Sequence, residues 1–179
     1  MTSERVLDGR LNDHREAVRE FVDKASALAE SQWLTPRAEG KWTPAQETKH
    51  LILTYGAFLS DLAGTPMRLR GTPLKRRLWR WIGLPQILWR QKLPKGVKAP
   101  REARPEWECA GPAELIPQLR RRADEFDATL ARVSSTEPSR RVIHPMLGPL
   151  TLEQAVQLMS VHTRHHAAFL PAPFVGARR

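Results

Sequence analysis

Apolar residues recur at three- and four-residue steps in four stretches of the chain, and each such stretch predicts an amphipathic helix. The first runs from about residue 4 to 29 and aligns Leu7, Leu11, His14, Val18, Phe21, Ala25 and Leu28 on one stripe. The second opens on Thr43-Pro44-Ala45-Gln46, a capping box with proline at the first helical position. It carries Leu51, Tyr55, Phe58 and Leu62 until Gly64-Thr65-Pro66 stops it. The third follows Gly111-Pro112 with Leu115, Leu119, Ala123, Phe126, Leu130 and Val133. The fourth opens on Thr151-Leu152-Glu153-Gln154, a second capping box, and runs to about Leu170, ahead of Pro171 and Pro173. Period-two alternation is absent apart from a short extended piece at 141–144. The expected fold is an all-α four-helix bundle, one domain over residues 1–179, with a long insertion at 65–111 between the second and third helices.

That insertion carries Trp79, Trp81 and Trp89 among Arg76, Arg77, Arg80 and Arg90, followed by KLPKGVKAP. Residues 74–82 predict a short amphipathic helix, which Pro85 is expected to keep from extending. The formal net charge of +10 is also local to this segment. Residues 65–101 hold eleven Lys or Arg and no acidic residue, whereas the rest of the chain is near neutral, with 18 basic and 19 acidic residues. The expectation is a solvated connector whose tryptophans pack across the bundle end. The competing readings are phosphate contact with base stacking, docking on an anionic membrane, or attraction of an anionic cosubstrate. Nucleic acid is the disfavoured partner, because the basic excess is one segment and not a property of the whole surface.

A single cysteine, Cys109, excludes an intramolecular disulfide. The first residues, MTSERVLDGRLNDHRE, lack the apolar core of a signal peptide, and no apolar run reaches the roughly 20 residues of a spanning helix. A cytoplasmic protein is expected.

The chemistry sits in the histidines. On the fourth helix the interior stripe reads Leu152, Ala155, Met159, His162, His166, Phe169, so two imidazoles four residues apart face the bundle interior. His165 points about 60° away from His162 and about 100° from His166. On the second helix His50 shares a polar stripe with Glu47, Thr54 and Asp61, which is either a polar interior site or the solvent face. A buried imidazole without a partner costs about 1–3 kcal/mol, and one shared metal ion would satisfy two or three of them. His14 reads as structural or pocket-lining, and His144, ahead of Pro145, as a hydrogen-bonded connector. Glu47 reads either as an acceptor that orients a ligand imidazole or as an exposed carboxylate at a helix start. Cys109 reads as a semi-buried cysteine and not a nucleophile. No Ser-His-Asp arrangement, glycine-rich phosphate loop or Cys-x-x-Cys pair indicates another chemistry.

The segment W-T-P-A-Q-E-T-K-H-L from Trp42 to Leu51 and the closing HPMLGPLTLEQAVQLMSVHTRHH resemble the DinB/YfiT-like superfamily. The resemblance covers most of the chain. It implies a four-helix bundle in which His50, His162 and His166 hold a divalent metal, zinc or nickel. It further implies a transferase or hydrolase that acts with a small thiol or on an electrophilic small molecule, and a homodimer. Many relatives have glutamine three residues after the last histidine; this chain has Phe169. The alternatives are a metal-binding or structural bundle without catalysis, because fold does not dictate function, and a binding module that uses the basic insertion.

Overall fold

The computed structural model describes residues 3–94 and 96–172. In chain order the elements are α1 (Ser3–Ser26), the single turn α2 (Glu30–Trp33), α3 (Pro44–Leu62), α4 (Pro73–Leu78), α5 (Leu84–Arg90), α6 (Pro112–Thr136), β1 (Val142–His144), β2 (Gly148–Leu150) and α7 (Leu152–Ala167). The long helices α1, α3, α6 and α7 form the bundle, with α1 packed most extensively on α7 and α3 on α6.

Both predicted capping boxes form. Thr43 and Thr151 accept from the backbone N–H of Gln46 and Gln154, and each glutamine returns a side-chain oxygen to the threonine N–H. Such a cap stabilises a helix start by about 1 kcal/mol, and here it also fixes the first residue of the two helices that carry the histidines.

The core is built from the expected stripes. Phe126 of α6 is fully buried, with ring centroids 5.6 Å from Tyr55, 5.9 Å from Phe58 and 5.5 Å from His14. Burying an aromatic or leucine side chain of this kind contributes about 1.5–3 kcal/mol. Through this apolar centre runs one polar chain that takes a side chain from each long helix. Asp127 Oδ1 lies 2.7 Å from His14 Nδ1, His14 Nε2 lies 2.7 Å from the Tyr55 hydroxyl, and that hydroxyl lies 2.9 Å from Thr163 Oγ1. His14 is therefore structural. Thr163 adjoins His162, so the chain sets the rotation of α7 on which the histidine pair depends. A second tie between α1 and α7 is the paired contact of Arg164 with both oxygens of Asp13, at 3.1 and 2.8 Å.

The structure corrects three expectations. First, the extended piece at 141–144 is not alone: β1 pairs antiparallel with β2 in the register Val142↔Leu150, Ile143↔Pro149, His144↔Gly148. Asp61 at the end of α3 accepts from the Ile143 N–H and staples this hairpin to the bundle. Second, Pro85 does not end the helix of the insertion. Residues 79–83 form a wide π-turn in which the Leu84 N–H reaches the Trp79 carbonyl, and α5 restarts with Pro85 in its first turn, where no N–H is needed. Gly83 makes this turn possible, since a Cβ there would collide with the Trp79 ring.

Third, the tryptophans do not pack together across the bundle end. Trp79 packs partly on the core, and Leu84 and Ile87 anchor α5 in it, but Trp81 and Trp89 point to solvent.

Candidate metal centre

The polar stripe of α3 faces inward. Glu47 and His50 are both buried, and α7 brings His162 and His166 against them. The Nε2 atom of His162 lies 3.2 Å from that of His50 and 3.0 Å from that of His166. The three residues each offer one ligand nitrogen, and these nitrogens all lie within 4.8 Å of one another. The far side of two rings is engaged. His50 Nδ1 lies 2.5 Å from the Ala103 carbonyl oxygen, and His166 Nδ1 lies 2.5 Å from Glu47 Oε2. A carbonyl only accepts, so His50 carries its proton on Nδ1 and leaves the Nε2 lone pair free. His166 does the same when Glu47 is ionised. Metal-ligating histidines are held in this way, with the distal N–H on a carbonyl or carboxylate.

The donor set fits a divalent transition-metal ion. Two nitrogens bound at ~2.1 Å to one tetrahedral ion stand about 3.4 Å apart, close to the 3.0 and 3.2 Å separations here. Three neutral nitrogens suit a transition-metal ion better than calcium or magnesium, which take oxygen donors. Electrostatics keep the rings neutral, which is the ligating form. Burial first, then the neighbouring His50 and His165, holds His162 well below the usual histidine range. Burial followed by His162, His50, His165 and Arg37 does the same to His166. His50 is lowered by burial, against the raising effect of its bond to Ala103. Burial pushes the Glu47 carboxyl up to about 8, with Arg37 pulling the other way.

Aromatic side chains frame the centre. The Trp42 ring lies 4.9 Å from His50 and stacks over His166 at 6.2 Å. Phe169 packs 4.4 Å from His165 and 5.9 Å from His166, with the Arg37 guanidinium 3.9 Å from its ring centre. The edge of the centre at Phe169 is therefore an aromatic wall capped by a cation. His165 lies outside the cluster, as its angle on the helix predicts. His144 is the expected connector: its Nδ1 accepts from the N–H groups of Met146 and Leu147, both at 3.2 Å. Burial pushes it down to about 4. Cys109 is half-buried with its Sγ 3.5 Å from the Glu106 carbonyl, and burial raises its thiol, so it lacks the stabilised thiolate of a nucleophile.

Two supports were not assignable before the fold was known. Ala103 acts through its backbone oxygen, which has no side-chain signal. Glu47 engages His166 on the opposite helix and not His50 on its own, a pairing 119 residues apart.

A family model described as the DinB superfamily matches residues 10–170. No functionally curated protein matches the chain. Among solved structures, the chain is similar to YfiT from Bacillus subtilis, described as a probable metal-dependent hydrolase with an unusual four-helix bundle topology. The TM-score is 0.58 and the identity 20%, with 95% of this chain and 86% of that one covered.

Proposed function

The chain belongs to the DinB superfamily, and from that premise we propose that it is a metal-dependent enzyme with His50, His162 and His166 as the ligands of one zinc or nickel ion. The observation that carries this reading is the convergence of three Nε2 atoms whose rings are oriented from behind by Ala103 and Glu47. Three protein ligands leave coordination positions open, as catalytic sites do. A divalent ion with neutral ligands keeps its full charge and lowers the pKa of a bound thiol or water, which supplies a nucleophile at neutral pH. The chain's own residues do the rest. Glu47, when ionised, would hold His166 in place by accepting the hydrogen bond of its Nδ1–H, which ligation at Nε2 makes more acidic. Trp42 and Phe169 offer apolar walls to a small substrate and limit the water around it. Arg37, held over Phe169, supplies a positive charge at the edge of the site and favours a substrate or thiol with an anionic group.

The proposed activity is transfer or hydrolysis on a small electrophilic substrate, with a low-molecular-weight thiol or water as the attacking group. The test is turnover by metal-free and zinc- or nickel-reconstituted protein against a panel of electrophiles, each with and without small thiols. Activity restored by metal and dependent on thiol assigns a transferase, and activity restored by metal alone assigns a hydrolase. Turnover that is identical with and without metal rejects the reading.

A further inference from the structure

The insertion between α3 and α6 presents an apolar face that none of the described residues covers. Leu74, Leu78, Trp81, Ile82 and Trp89 are exposed, with 77% of Leu74, 71% of Trp81 and 79% of Trp89 open to solvent. Positions 74, 78, 81, 82 and 89 follow helical spacing, so these side chains share one face of the helical stretch from Pro73 to Arg90. The opposite face is anchored. Leu84 and Ile87 are buried in the core, and Gln157 of α7 donates to the Leu88 carbonyl. The helix is thus fixed on the bundle with its apolar face outward and does not rest on it as a loose connector.

Cations border that face. Lys75, Arg77, Arg90 and Lys92 are exposed, and among the described residues they form no ion pair, unlike Arg70, which pairs with Glu102. Residues 65–101 contain no acidic residue at all. A second copy of the chain laid on this surface would set cations against cations. A nucleic acid would find phosphate partners, but Leu74, Leu78 and Ile82 stack no bases and would stay exposed beside the aromatics. Tryptophan and aliphatic side chains on one face with Lys and Arg around them are what a helix lying in a bilayer interface requires. We propose that residues 73–92 dock the protein on an anionic lipid surface, with Leu74, Leu78, Trp81, Ile82 and Trp89 entering the headgroup boundary and Lys75, Arg77, Arg90 and Lys92 meeting lipid phosphates.

This proposal stands apart from the metal centre and is tested without it. The full-length protein is floated with vesicles of phosphatidylcholine alone or mixed equally with phosphatidylglycerol, while tryptophan emission is recorded. Binding to the anionic vesicles at low salt, a blue shift of the emission, and weakening as salt rises are expected. Lys75→Gln with Arg77→Gln lowers the affinity by about 30-fold. Leu78→Glu with Trp81→Glu abolishes binding while helical content and melting temperature, followed by circular dichroism, stay at the wild-type values, because both side chains are exposed. Equal partitioning to neutral and anionic vesicles, or unchanged flotation of either double variant, overturns the proposal. Retention on duplex or single-stranded DNA without flotation also overturns it and assigns the cations to nucleic-acid phosphates.

Discussion

Replacing Glu47 by glutamine separates metal binding from folding. In the native protein Glu47 Oε2 lies 2.5 Å from His166 Nδ1, and both groups are buried. Ligation of Nε2 makes the Nδ1–H more acidic, so the bond to an ionised carboxylate strengthens in the loaded site. Glutamine keeps an acceptor of nearly the same shape but removes the charge. A charge-assisted hydrogen bond contributes about 1.5–3 kcal/mol and a neutral one about 0.5–1.5. The difference, about 1–1.5 kcal/mol, corresponds to roughly tenfold weaker metal binding above about pH 8, where Glu47 is ionised without the site being loaded, and the gap narrows as pH falls. The metal-free protein responds in the opposite sense. Burial already pushes Glu47 up to about 8, so the folded apo-protein carries a costly carboxyl, and glutamine leaves its stability unchanged or higher.

The same shift gives a pH signature. Loading the site ionises Glu47 and releases its proton, so wild-type affinity rises with pH, by about tenfold per unit, up to about 8. Glutamine has no proton to release, and the profile of the variant is flatter. Competition against a chelator at several pH values measures the affinities, and thermal melting of the apo-protein measures stability. Wild-type affinity and pH slope in the variant, or loss of metal only together with loss of fold, would refute the role given to Glu47.

Three further predictions follow from the surroundings of the site. Tyr55→Phe removes the hydroxyl shared by His14 and Thr163 and leaves two buried partners, costing about 1–3 kcal/mol in denaturant unfolding; the variant still binds metal, and a loss of less than about 0.5 kcal/mol contradicts the network. His144 sits at about 4 in the fold against about 6.5 unfolded. The unfolded chain therefore takes up the proton first, so stability is full above about pH 6.5, falls as pH drops toward 4, and levels off below. Relative to His144→Asn, the metal-free wild type loses up to about 3 kcal/mol over that window, and parallel melting curves would contradict the assignment. Phe126→Ala empties the meeting point of Tyr55, Phe58 and His14 and costs about 3–5 kcal/mol in chemical denaturation, where a cost below about 1 kcal/mol would place the core elsewhere.

The helices and the histidine pair were legible in the sequence because both obey local rules. Thr43 and Thr151 cap through residues three positions away, and His162 and His166 share a face through a four-residue step. His50 was legible less directly: its polar stripe reads equally well as buried or exposed, and only the resemblance favoured the interior. What stayed hidden depends on contacts distant in sequence or on backbone alone. Ala103 meets His50 across 53 residues through a carbonyl. Glu47 reaches a histidine on another helix, a choice its own helix does not reveal. Pro85 read as a helix breaker because standard α geometry was assumed, whereas the π-turn at 79–83 supplies the extra residue that lets the helical path continue. The exposed faces of Trp81 and Trp89 were likewise unreadable, since an apolar side chain in a long insertion ordinarily finds the core.

Among the described residues no helix is long and apolar enough to cross a membrane, and the lipid contact proposed for residues 73–92 is with its surface. That contact is independent of the three-nitrogen site formed by His50, His162 and His166. The most direct test of the site is the metal content of protein purified without an affinity tag, measured by elemental analysis beside a His162→Ala variant whose fold is verified by circular dichroism. The wild-type chain is expected to carry about one zinc or nickel ion, and the folded variant to lose most of it. Equal metal content in the two proteins would contradict the three-nitrogen site.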